Sequence, residues 1–410
     1  MTAHSFEPFY SHEHQVYNLE GFSPAPVNEA YLRALGVGVI PSAETLEGLR
    51  RGSDVFLDRF RARRLIPETH FRLDTLDVDA VVPEIHNYTG RCPTLTYEIN
   101  PVLGCTVGCQ YCLVSDGVHE RELVAHENYH LYVRRLLEEQ NGPGGRNLPH
   151  YYYFSPKTEA FQEATLLPGI AHRILQEFID HYRRCPASRA RLFVASKAGA
   201  KHLLYCWEGV SVLDLFSQLR GKMQFNTSVS IMPPPLRDIL EPYAAPIGER
   251  LEAVRLCREN GIPSNSALVQ PIFTPCLTDG NIRDFFDSLH QAGILNYKPE
   301  FLTVCMENLA MLGQYLGYFS KDMERQFYED YLPPSNALHR KQRGRTAPDK
   351  ALSRECIRRM MDYTRGLGMS TSICYWVRQQ LGIGEDEIPL INENGFQCLG
   401  YQSRLFCDVQ

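Results

Sequence analysis

The sequence predicts an α/β protein with a parallel sheet of six successive strand–helix units, extended at both ends of the chain. Two observations predict this class. From Leu95 onward, short β-prone apolar runs alternate with segments of helical period. The connections between them are short, so successive strands lie parallel, and right-handed crossovers curl such a sheet into an open or closed barrel. A length of 410 residues holds either one large domain with extensions or two domains, and 44% hydrophobic with 22% charged residues is ordinary globular composition.

Taken in order, the first 25 or so residues read as irregular. His12 and His14 form an H-x-H on a polar segment, which reads as solvated surface ahead of a metal site. Residues 27–35 and 43–63 carry helical periodicity, the second capped by Ser42 with Leu46, Leu49, Val55, Phe56 and Phe60 on its apolar side. The basic run 59–64 reads as a solvated helix face, with a phosphate or polyanion contact as the alternative. Residues 1–93 are thus expected to form a mostly helical extension.

The barrel is expected over 94–310. Its strands are predicted at 95–103, 151–154, 191–196, 223–231, 266–269 and 300–305, and its helices at 123–140, 168–184, 212–219, 247–260 and 281–292. Breaks at Gly142-Pro143-Gly144-Gly145 and at Gly261 punctuate the series. Residues 311–410 are expected to extend over the barrel mouth. They hold helices at 323–331 and 351–366, a basic loop at 339–345 that is either mobile surface or a contact for an anionic substrate, and a further strand at 369–376. The tail carries Cys398 and Cys407.

Net charge is −6 and the isoelectric point is near 6.2, which weighs against a nucleic-acid partner because phosphate binding shows as a basic excess. No apolar run reaches membrane-spanning length, and residues 1–18 lack a signal-peptide core, so a cytoplasmic location away from membranes is expected. In that reducing compartment the 13 cysteines serve as thiols or metal ligands.

Three of them, Cys105, Cys109 and Cys112, fall at C-x3-C-x2-C in one loop after the first strand. Thiolates this close can wrap a single metal centre, and they are the usual ligands of iron–sulfur clusters. A [4Fe-4S] cluster held by three cysteines leaves one iron open, and Tyr111 stands where an aromatic ring can pack against a ligand on that iron. The alternative is half of a zinc site, hence a zinc-stabilised binding protein that is no enzyme. It would need a fourth ligand, and Cys92 and His119 are nearest in sequence, but neither forms a paired knuckle.

The set Cys105, Cys109, Tyr111, Cys112 resembles the signature of the radical S-adenosylmethionine (SAM) superfamily in its C-x3-C-x-aromatic-C form. The resemblance implies a partial (β/α)6 TIM-like barrel and a radical SAM enzyme. In that family a [4Fe-4S] cluster binds SAM through its open iron. An electron from an external reductant such as flavodoxin or ferredoxin cleaves SAM to a 5′-deoxyadenosyl radical, which abstracts a hydrogen atom from substrate.

In a barrel of this kind function collects at the C-terminal strand ends. There the sequence places Thr158-Glu159 with Gln162, Ser196-Lys197, Ser230, Leu240-Glu241-Pro242 followed by Pro246 and Arg250, and Gln270-Pro271-Ile272. Each alone reads as polar capping of a strand end. As a series they resemble the spore photoproduct lyase-like branch of the family. That resemblance covers about half the chain and implies SAM contacts from Thr158, Glu159, Lys197, Ser230 and the Gln270 backbone, with Tyr111 near the adenine. One position departs: Lys157 stands where spore photoproduct lyases keep the cysteine that donates hydrogen to the DNA radical. Repair of a thymine lesion is therefore not expected.

Substrate-side candidates are Lys157, Arg250, Glu307, Cys374 and Cys398. Glu307 is expected at the pocket mouth after the sixth strand, as a general base or a binder of cationic or hydroxylated groups, or in a surface ion pair. Cys374, Cys398 and Cys407 read as hydrogen donors, ligands of a second cluster, or packing residues. The expected substrate is a small molecule, plausibly of a biosynthetic pathway. A macromolecule (DNA, tRNA or a peptide) is the alternative.

Overall fold

The structure, a computed structural model, describes residues 3–5, 9–10, 19, 21–39, 41–62, 70–86, 95–112, 123–145, 147–333, 345–374, 377–378, 381–384 and 387. His12, His14, Cys92, His119, most of the basic loop 339–345, Cys398 and Cys407 lie outside the described residues.

A seven-stranded parallel sheet dominates. Its strands are β1 (Leu95–Ile99), β2 (His150–Phe154), β3 (Arg191–Ser196), β4 (Met223–Val229), β5 (Ser266–Ile272), β6 (Asn296–Phe301) and β7 (Ser370–Thr371), and their order in space follows the chain. Strands β1 and β7 form the two edges and do not pair, so the sheet is open. The helices between successive strands are α1 (Tyr129–Asn141), α2 (Ile170–Arg184), α3 (Val212–Gln218), α4 (Ile247–Glu259), α5 (Asp279–Gln291) and α6 (Lys350–Gly366). Parallel neighbours in chain order, joined by helical crossovers of one hand, put every helix on the same face.

The packing shows that face. Tyr152, Phe154, Leu192, Val194, Phe225, Val269 and Tyr297 from the strands join Phe178, Phe216, Val254, Leu289 and Met360 from the helices in one buried cluster. The alternate strand positions line the other face, where Tyr151, Tyr153, Phe193 and Leu268 form a small apolar patch. The same face carries buried polar side chains: Glu98, Gln224, Asn226 and Lys298.

The strand predicted at 300–305 differs in register. The pairing strand is β6, and Val304–Cys305 leaves the sheet to pair with Arg345–Thr346. The helix predicted from 123 begins only at Tyr129, because Leu123–His126 is a strand. It pairs parallel with His70–Asp74 and antiparallel with Val102–Leu103, making a four-stranded accessory sheet with Ala3–Ser5. Its mostly apolar residues fit either element, and the partner strand 52 positions away decides. The strand predicted over 369–376 shrinks to β7, two residues that still add a seventh strand to the sheet.

A second core holds the helices Glu29–Leu35, Ala43–Arg61, Pro234–Leu240, Met306–Phe319 and Lys321–Tyr331 against the cysteine loop through Val107, Cys109 and Tyr111. Residues from both terminal extensions thus share one core with the loop. Helix Met306–Phe319 crosses Ala43–Arg61 at Gly52, where a Cβ atom would sit 2.1 Å from the Glu307 carbonyl oxygen. Gly52→Ala is expected to destabilise the protein by about 1–3 kcal/mol through overpacking. This outweighs the roughly 1 kcal/mol that alanine adds in helix propensity. A urea midpoint that rises in Gly52→Ala would show that the helices do not meet this closely.

Candidate functional site

The cysteine loop leaves β1 through Val102–Leu103 and turns back at Gly108, whose φ of +67° is a left-handed conformation suited to glycine. Two segments from elsewhere hold its backbone. From the end of β2, Gln162 accepts the Thr106 N–H at 2.8 Å and Glu163 accepts the Thr106 hydroxyl at 2.7 Å. From the end of Pro234–Leu240, the Leu240 carbonyl accepts the Gln110 N–H at 2.9 Å, and the Tyr243 N–H donates to Val107 at 3.3 Å.

Cys109 is buried, while Cys105 and Cys112 are partly buried. Burial pushes the Cys109 thiol up to about 12, with Lys197 pulling against it. Burial also raises the Cys105 thiol, reinforced by Cys109. Among the described residues no three His, Cys, Asp or Glu side chains form a set that could grip a metal ion as they stand. The donor set still suits a soft metal centre, since thiols surrender their protons to a bound cation.

Beneath the loop lies a fully buried polar network centred on Glu241. Its carboxylate accepts the Tyr111 hydroxyl, pairs with the Arg250 guanidinium and accepts the Ser230 hydroxyl at 3.4 Å. Arg250 spends its other donors on the Ala245 and Ser228 carbonyls at 2.6 and 2.9 Å. Burial would lift the Glu241 carboxyl, but Arg250 and Lys197 outweigh it and hold the group below its ordinary value. The Lys197 ammonium lies 5.6 Å from the centre of the Tyr111 ring, a cation–π distance. Burial works against that charge too, and Cys109 and Glu241 more than restore it.

Glu159 takes a different part. Its carboxylate accepts the Ser196 hydroxyl, the Phe161 N–H at 3.1 Å and the Lys197 N–H at 2.7 Å, so it ties β2 to β3 at their C-terminal ends. Thr158 keeps a buried Oγ1 with no protein partner, as do Ser155 at Oγ and Gln162 at Nε2. Gln270 sits half-buried near the end of β5, before a cis peptide bond to Pro271. Lys157 forms ion pairs with Glu84 at 2.6 Å and Glu98 at 3.0 Å.

Of the predicted site residues, Cys105, Cys109, Tyr111, Cys112, Glu159, Lys197, Ser230 and Arg250 thus gather around the loop. Glu307 does not lie at the end of a strand. It occupies the first turn of helix Met306–Phe319 and forms an exposed ion pair with Arg51 at 3.1 Å. The run Val304–Asn308 does hold a strand end, at Cys305, but that strand lies outside the parallel sheet and a helix starts at Met306. Cys374 follows β7, near Lys298, an ammonium that burial opposes and that Glu300 and Cys374 sustain. Gln162 and Glu241 stand within the sequence motifs, and their roles as backbone acceptor and buried anchor of the loop emerge only in the fold. The spacing of Leu240-Glu241-Pro242 and Arg250 is the signal that could have marked a carboxylate and its counter-ion.

No protein-family model matches the chain. Among curated proteins, the uncharacterised protein ORF301 of Acidianus two-tailed virus is 26% identical over 234 residues, covering 50% of this chain and 72% of that protein. Among solved structures, the radical SAM methyltransferase TsrM from Kitasatospora setae, bound to tryptophan and a SAM analogue, is 19% identical with a TM-score of 0.35. That match covers 50% of this chain and 35% of that protein, so the chain spans about a third of its length. Methylornithine synthase (PylB) is 11% identical with a TM-score of 0.34, over 87% of this chain and 96% of its own.

Two outcomes test the polar groups. Arg250→Met leaves the Glu241 carboxylate buried without its counter-ion, and a loss of about 3–5 kcal/mol is expected in chemical denaturation. Cys109 should become reactive to a thiol reagent in the same variant; a thiol as protected as in wild type would detach the pair from the loop. Glu98 supplies a pH signature. Burial would raise its carboxyl, yet hydrogen bonds from His86, Lys157 and Asn100 hold it down at about 2. A depressed carboxyl stabilises the fold above its unfolded value, and this part is lost as pH falls toward 2. Glu98→Gln should therefore flatten the acid limb of the stability curve. An unchanged acid limb would contradict the assignment.

Proposed function

We propose that this chain is a radical SAM enzyme acting on a small molecule. The observation that carries the reading is the loop Cys105–Cys109–Cys112 at the C-terminal end of the first strand of a parallel sheet wound in chain order. In this reading the three thiolates hold a [4Fe-4S] cluster. When bound, the cluster and SAM supply one-electron cleavage of SAM and a 5′-deoxyadenosyl radical that takes a hydrogen atom from substrate.

The chain's own residues hold and shape that site. Glu241 and Arg250 fix Tyr111 between the last two cysteines and the floor. Lys197 offers a positive charge beside the loop, suited to a carboxylate. The unpartnered Ser155 Oγ, Thr158 Oγ1 and Gln162 Nε2 are buried hydrogen-bonding groups at the end of β2, and they fit the polar groups of a bound cofactor. Thr158, Glu159, Lys197, Ser230 and Gln270 are the proposed SAM set. Glu159 and Ser230 serve it from behind, since their oxygens are engaged by Ser196, Lys197 and Glu241. We place the chain near the spore photoproduct lyase-like branch on its Leu240-Glu241-Pro242 and Arg250 element. Lys157 argues for a different final step, because its ammonium is held by two carboxylates and offers no thiol hydrogen. An external one-electron reductant such as flavodoxin or ferredoxin is the proposed partner, in the cytoplasm. Among the described residues no helix is long and apolar enough to cross a membrane.

Anaerobic reconstitution with iron and sulfide is the test. A brown protein that forms 5′-deoxyadenosine from SAM under reductant is expected, with both properties lost in Cys105→Ala, Cys109→Ala and Cys112→Ala. A colourless protein retaining one zinc ion would overturn the proposal. Deuterium carried from a candidate substrate into 5′-deoxyadenosine then identifies the small molecule.

A further inference from the structure

A cavity of about 440 Å³ lies between the accessory sheet, α1 and the end of β1, and it reaches Gly104, the residue before Cys105. This is within the size range of small-molecule sites. Its lining combines apolar side chains, among them Val81, Val82, Val124 and Tyr132, with a polar set, Glu84, Glu98, Asn100, His126, Lys157 and Thr158.

The polar set is unevenly supplied. The Asn100 amide nitrogen donates to Glu84 at 3.1 Å and to Glu98 at 3.0 Å, which leaves its Oδ1 buried with no protein partner. Thr158 Oγ1 and His126 Nδ1 are buried without partners as well. Lys157, the lysine of this set, already spends two of its donors on Glu84 and Glu98. Buried polar atoms are almost always hydrogen-bonded, so three unpartnered atoms in one cavity lining point to a polar occupant. The carboxylates of Glu84 and Glu98 outnumber the single ammonium of Lys157, so the lining carries one net negative charge. Burial lowers the His126 imidazole's pKa, so it adds no positive charge at neutral pH. A lining rich in acceptors and net negative suits a ligand that brings donors and a positive charge, and a primary ammonium brings three donors and no acceptor.

We propose that this cavity binds a small primary amine, its ammonium held by Glu84 and Asn100 Oδ1, and its apolar body against Val81, Val82 and Tyr132. That the amine is the molecule losing hydrogen rests on the radical SAM reading; that it binds here does not.

The test uses the full chain with phenethylamine as probe and 2-phenylethanol as its neutral counterpart, followed by ligand-observed NMR. Wild type is expected to bind the amine at least about tenfold more tightly than the alcohol. Glu84→Gln should erase that preference while Lys157 stays paired with Glu98, and Val82→Trp should weaken both probes by narrowing the cavity. Glu84 and Val82 are both solvent-exposed, so these variants should fold as wild type does, which circular dichroism checks. Equal affinity for amine and alcohol, no binding of either, or a preference that survives Glu84→Gln would overturn the proposal. Formation of 5′-deoxyadenosine by the reconstituted protein without amine is read separately. A chain that forms it but ignores phenethylamine loses only the cavity assignment, and a chain that binds phenethylamine but forms none loses only the radical SAM reading.

Discussion

The buried pair of Glu241 and Arg250 is the interaction on which the site depends. Two fully desolvated charges are costly, and they persist only where geometry is good and every remaining donor and lone pair is used. Here Arg250 reaches two carbonyls besides the carboxylate, and Glu241 also takes hydroxyls from Tyr111 and Ser230. The consequence is positional. Tyr111 stands between Cys109 and Cys112, so whatever fixes its hydroxyl fixes the loop. The backbone bonds from Leu240 and Tyr243 to the same loop act in the same direction.

The loop is held from two sides by parts of the chain that are distant in sequence. Gln162 and Glu163 come from the end of the second strand, and Glu163 also accepts the Phe9 N–H at 3.0 Å, which draws the N-terminal region onto the site. Helices from both terminal extensions close the second core over Val107, Cys109 and Tyr111. The sheet contributes its other face, whose polar residues, among them Glu98, Gln224, Asn226 and Lys298, are buried. Polar side chains in that position cost stability unless they are paired: Glu98 pairs with Lys157 beyond the end of the neighbouring strand, and Lys298 pairs with Glu300 two residues on in its own strand, at 2.7 Å.

Much of this was legible in the chain itself. The main strands and crossover helices from Tyr151 to Gln291 lie within a few residues of their expected bounds, because their hydrophobic periods are clear, whereas the short helix Pro234–Leu240 carries no period long enough to mark it. The cysteine motif was legible because its ligands are contiguous and need no distant partner. Leu123–His126 reads as helix because its short run of Leu, Val, Ala and His suits both states, and a pairing strand from far away settles the matter. For Glu307 the sequence left a pocket-mouth role and a surface ion pair both open, because one carboxylate after an apolar run looks the same at a strand end and at a helix start, and the structure shows the ion pair.

The sequence by itself determined the parallel α/β class, the order of its units and the three thiols on one loop, all of them consequences of local period and spacing. Only the tertiary structure decided which carboxylate serves which purpose. Glu159 ties two strands, Glu241 anchors the cysteine loop, Glu98 and Glu84 hold Lys157 at a cavity, and Glu307 forms an ion pair on the surface. The side chain is the same in every case. Its role follows from burial and from the charges that folding brings to it, and neither is written in the neighbouring residues.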